Sequence, residues 1–110
     1  AGTTITLPAA TGTGNRYRFV VGTTLTGDGI IQVANATDII QGALALSTDI
    51  AGVTISAGTS DDTITMNGTT KGGLIGSFIE IVDIAAGVFV CTGALVSSGT
   101  EADPFSAAVS

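Results

Sequence analysis

Histidine and tryptophan are both missing from this 110-residue chain, cysteine occurs once, proline twice, and basic residues number only three. Each shortage excludes something. Without histidine there is no serine-hydrolase or thiol-protease triad, and no imidazole for zinc or haem. The lone Cys91 has no intrachain disulfide partner and reads as a small apolar residue inside a strand. Arg16, Arg18 and Lys71 are too few to displace counterions along a phosphate backbone, so a nucleic-acid groove is not expected. A net charge of −6 likewise disfavours anionic membranes.

Long apolar runs are absent too. Mean hydropathy is high at +0.59, yet Gly, Thr and polar residues interrupt every stretch well before the eighteen or so residues of a spanning helix. The opening AGTTITLPAA has neither the charged nor the long apolar region of an intact signal peptide. Aromatics make up 5%, a thin supply for a sugar-stacking platform. Charged residues make up 11%, against about 25% in an average soluble domain. So little charge points to a surface partly covered by partners or by copies of the same chain.

What is present is short β-strand signals punctuated by Gly, Thr and Asp. The densest lies at Phe78 to Val96, read as strands Phe78–Ile84 and Val88–Val96 joined by Ala85-Ala86-Gly87. In the first strand Phe78, Glu80, Val82 and Ile84 share one face; Ile79, Ile81 and Asp83 share the other. A strand apolar on both faces is usually covered on both. One cover is the domain's own second sheet and the other a neighbouring subunit.

Further strands are expected at Thr3–Leu7, Arg16–Val21, Ile30–Val33, Val53–Ser56 and Thr63–Asn67. Asp38–Leu46 is ambiguous: Asp38 and Gln41 resemble a helix-capping pair, but Gly42 favours a strand. The pattern predicts an all-β, single-domain β-sandwich or jelly-roll-like module over 1–110, with about eight short antiparallel strands. An extended N-terminal arm and a C-terminal tail, with Phe105 after Asp103-Pro104, are expected to flank it.

Candidate chemistry is sparse. Asp61-Asp62 with Thr59 and Ser60 has oxygens for calcium but no EF-hand spacing, and reads as a turn closed by Asx bonds. Glu80 and Asp83 point to opposite faces and cannot form a glycosidase pair. Asp28, Asp38, Asp49, Asp61 and Asp62 remain loose candidates for an acid-lined site. Gly12-Thr13-Gly14 lacks the third glycine of a phosphate loop and reads as a turn. The sequons at Asn35 and Asn67 are expected by chance in a Thr-rich chain. Glu80 is expected either at a subunit boundary, paired with Arg16 or Arg18, or as an exposed edge charge.

The stretches TITLPAATGTGNRYRFVV, NATDIIQGALALSTDIAGVTI, DDTITMNGTTKGGLIGSFIEIVDIAAGVFVCTGAL and SGTEADPFSA together resemble a group of small tailed-bacteriophage capsid decoration, or cement, proteins. One departure is Phe at 78 and 89, where the group often carries Trp. The resemblance implies a β module without cofactor, seated as a homotrimer on the virion exterior. There it binds the major capsid protein and stabilises the lattice mechanically, without enzymatic activity. Ile79, Ile81, Phe89 and Val90 are the expected core or trimer contacts, with Glu80, Arg16 and Arg18 beside them. Thr3, Ile5, Leu7 and Phe105 are the expected capsid contacts. A head-fibre or receptor-binding β module is the alternative reading.

Overall fold

The computed structural model describes residues 2–48 and 50–109. They form nine strands and no helix: β1 (Thr3–Thr6), β2 (Arg16–Val20), β3 (Gly29–Gln32), β4 (Ile39–Ser47), β5 (Gly52–Ser56), β6 (Thr63–Met66), β7 (Phe78–Ala85), β8 (Val88–Val96) and β9 (Phe105–Ser106). These make a sandwich of two sheets, one ordered β1-β3-β6-β9 and the other β2-β7-β8-β4-β5. Both sheets are mixed. β1 runs parallel to β3 and β4 parallel to β8, where the sequence reading expected antiparallel strands throughout. An all-antiparallel jelly roll has no such ladders. The reason lies in the connections. The chain changes sheet after β1, β2, β3, β5, β6 and β8, and such long returns can lay a strand either way against its neighbour.

Period-two burial drives the pairing of the layers. Ile79 and Ile81 on β7, Phe89, Cys91 and Leu95 on β8, and Ile40, Leu44 and Leu46 on β4 all point inward. They meet Ile31 of β3 and Ile64 and Met66 of β6 from the other sheet. Burying each such large side chain contributes about 1.5–3 kcal/mol. Gly42 interrupts β4 with φ of 110°, and a Cβ there would stand 2.4 Å from the Cys91 carbonyl oxygen. The segment is therefore a strand that only glycine allows to run this close to β8. The hairpin turns at Gly87, φ 79°, after a bulge between Asp83 and Ala85.

The two chain ends belong to the sheets. Thr3–Thr6 pairs residue by residue with Gly29–Gln32, and the Leu7 amide continues the ladder to the Gln32 carbonyl at 2.8 Å. Phe105 pairs with Ile64 in β9, and Thr65 donates to the Pro104 carbonyl at 2.8 Å.

Candidate interaction surface

Three aspartates on the inner side of the fold spend their carboxylates on backbone. Asp83 Oδ1 accepts the Gly12 amide at 2.7 Å, while Oδ2 accepts the Thr11 amide at 3.0 Å and the Thr13 hydroxyl at 3.1 Å. Asp38 accepts the Ala10 amide at 2.9 Å. Asp62 accepts the Thr63 hydroxyl at 2.9 Å and the Val109 amide at 3.2 Å. All three are buried. Asp38 and Asp83 thus hold adjoining residues of the crossover from β1 to β2. The Thr11 amide, together with the other donors of that loop, holds the Asp83 carboxyl below its ordinary pKa, against the opposing effect of burial.

The remaining candidate groups have equally local employment. Asp61 Oδ2 accepts the Gly58 amide at 2.8 Å and closes the turn before β6. Asn35 Oδ1 accepts the amides of Thr37 and Asp38, and Asn67 Oδ1 those of Thr69 and Lys71, so both sequon side chains are turn braces. Burial pushes the Cys91 thiol up to about 11. Among the described residues no buried side-chain nitrogen or oxygen lacks a partner, and no three acidic or sulfur ligands converge on a point. Asp28 is exposed at the turn before β3, and Asp49 lies outside the described residues.

The feature that stands out is the outward face of the five-stranded sheet. One row across it reads Val20, Phe78, Ala94, Ala45, Thr54; another reads Arg16, Val82, Val90, Gln41; between them runs a polar row, Arg18, Glu80, Thr92; Val88 and Ile39 adjoin at the far end. Phe78, Val82, Val88, Val90, Ala94 and Ile39 are half-buried, and Val20 is 64% exposed. Charge is confined to the β2 side. Arg16 Nη1 meets Glu80 Oε1 at 3.1 Å, the one ion pair among the described residues, and the Arg18 guanidinium lies 5.3 Å from the centroid of the Phe78 ring.

The expected site residues therefore divide. Ile79, Ile81 and Phe89 are fully buried in this chain's own core. Val90, Glu80, Arg16 and Arg18 lie on the outward face. Of the expected capsid contacts, Thr3 and Ile5 are exposed on β1, but Leu7 and Phe105 are 2% and 5% exposed, and the core consumes both. This corrects the tail-anchor expectation for Phe105: the Pro104 carbonyl accepts the Thr65 amide, and Phe105 pairs with buried Ile64 of β6 and shares its inward side. The carboxylate clamps were missed. The signal was Asp83 in phase with Ile79 and Ile81, since an inward carboxylate must be met by donors.

No protein-family model matches the chain, and no curated protein or solved structure matches it either.

Proposed function

We propose that this protein is a capsid decoration protein of a tailed bacteriophage, a cofactor-free structural subunit that self-associates as a homotrimer and binds the outer shell. The observation that carries the reading is the outward face of β7, β8 and β4. A central sheet face that carries Phe78, Val82, Val88, Val90, Ala94 and Ile39, interrupted by Glu80, Thr92 and Gln41, is largely apolar yet unsealed by its own chain. Faces of that kind on soluble proteins mark sites of protein contact. The capsid as partner comes from the resemblance of the Gly/Thr/Asp turn pattern and the Pro-Phe-Ser ending.

The rest of the molecule agrees with mechanical work. Its buried carboxylates fix loops instead of converging on a cleft. The many cross-sheet connections tie the two layers together, as suits a clamp under outward pressure. Low charge and an acidic balance fit a subunit that gives up surface to neighbours while facing solvent on the shell exterior. In a symmetric assembly each weak contact is repeated, so avidity compensates for modest single contacts.

The test is sedimentation of the protein with undecorated shells of the major capsid protein encoded in the same genome. Saturable binding at many copies per shell is the expected result. Binding of a few copies, or recovery of all the protein in the supernatant, overturns the reading.

A further inference from the structure

The sandwich has four sheet edges, and they are not treated alike. β9 is two residues long and follows Pro104; β2 carries Arg16 and Arg18. Short, proline-flanked or charged edges resist pairing with another chain. β1, TTIT, and β5, GVTIS, have no charge and no proline, and each is hydrogen-bonded on one side only.

Each unprotected edge also leaves one inward-facing apolar side chain open to solvent. Ile5 pairs with buried Ile31 and so points inward, yet it is 40% exposed. Val53 pairs with buried Leu46 and so points inward, yet it is 48% exposed. At the first margin the sheets part to leave a cavity of about 440 Å³, lined by Ile5, Phe19, Val21, Leu25, Ile31 and Met66. β1 and β2 share that cavity, so they occupy the same margin of the sandwich and β5 lies at the opposite one.

We infer that the β1 edge of one copy pairs with the β5 edge of the next, a head-to-tail strand contact between identical chains. A two-fold β1–β1 contact leaves β5 open, and a β5–β5 contact leaves β1 open; one heterologous contact satisfies both. The charges agree. Arg18 at the β1/β2 margin has no carboxylate partner among the described residues, while Asp61 beyond the end of β5 and Asp103 before β9 each spend one oxygen on a backbone amide. A heterologous contact with suitable rotation closes into a ring. The inference gives the self-association of the proposed function its route, and it is tested on the free protein with no shell present.

The experiment uses two variants, Thr4→Lys on β1 and Thr54→Lys on β5, both exposed positions. Sedimentation equilibrium measures each alone and as an equimolar mixture, with circular dichroism melts to verify folding. Each variant alone falls to the single-chain mass of 10.7 kDa. The mixture regains a pair and stops there, because the Thr4→Lys copy still has its β5 edge and the Thr54→Lys copy its β1 edge. Thr4→Val and Thr54→Val keep the edges neutral and retain the wild-type mass. If a lysine variant loses its melting transition, Thr6→Lys or Ser56→Lys replaces it on the same edge. Wild-type mass in either lysine variant, a mixture no heavier than its components, or a monomeric wild type overturns the inference. An assembled wild type that passes these tests but ignores shells would count against the capsid reading alone.

Discussion

Asp83 Oδ1 accepts the Gly12 amide at 2.7 Å across 71 positions of sequence. This bond joins the bulged end of β7 to the loop that carries the chain from one sheet to the other. A carboxylate has acceptors for every donor in that loop; an amide does not. Asp83→Asn is therefore expected to lower Tm by about 5 °C or more. The effect has a pH signature. The Asp83 pKa is lower folded than unfolded, so its stabilisation is complete above its ordinary 3.8 and is lost as the pH falls toward the folded value. Melts from pH 7 down to pH 2 should show the wild type converging on the variant only at the acid end. A constant gap across the range would contradict this role.

Gly93 sits opposite Ile79 in the β7/β8 hairpin. A Cβ at that position would stand 2.2 Å from the Phe78 carbonyl oxygen and 3.0 Å from Ile79 Cα, both backbone atoms with no room to yield. Gly93→Ala is expected to cost about 3 kcal/mol, the upper end of the overpacking range. A urea midpoint shifted to match, with unchanged slope, is the expected measurement.

Neighbouring residues of β8 separate core from surface. Phe89 is fully buried and Val90 half-buried on the outward face. Phe89→Ala should cost about 3–5 kcal/mol of stability. Val90→Glu should cost less than about 1 kcal/mol, the span of strand propensity, yet abolish shell binding in the sedimentation assay. Normal shell occupancy by a folded Val90→Glu protein would remove the outward face from the account.

Cys91 is 2% exposed with its pKa pushed up to about 11, so little thiolate is present at neutral pH. Native protein at pH 8 should resist a thiol reagent, and urea should release one reactive thiol per chain along the unfolding curve. Rapid labelling of the native state would contradict the burial of β8.

Much of this fold is legible in the residues. The strands Phe78–Ala85 and Val88–Val96 lie within one residue of the sequence reading, because Ile79, Ile81, Phe89 and Leu95 set a strong period of two and Gly87 marks the turn. β4 also forms as a strand, since Ile40, Leu44 and Leu46 hold the phase despite Gly42. The parallel ladders were not legible. A strand's alternation fixes which residues face inward but not the direction of the strand it meets. The place of Phe105 was not legible either, because what seats it is a long-range fact, the edge of β6 that β9 pairs with. The outward face was half legible. Two-faced apolar strands signal a second covering, but β1 and β5 reveal themselves as bare edges only once the sheets are assembled.

The central claim is that the unsealed outer sheet exists to hold other polypeptides together. Its most direct test is the rupture temperature of undecorated shells with and without saturating protein, followed by light scattering. A clear rise with wild-type protein, and none with Val90→Glu, is the predicted result. Shells that rupture at the same temperature whether or not the wild-type protein covers them would contradict the account.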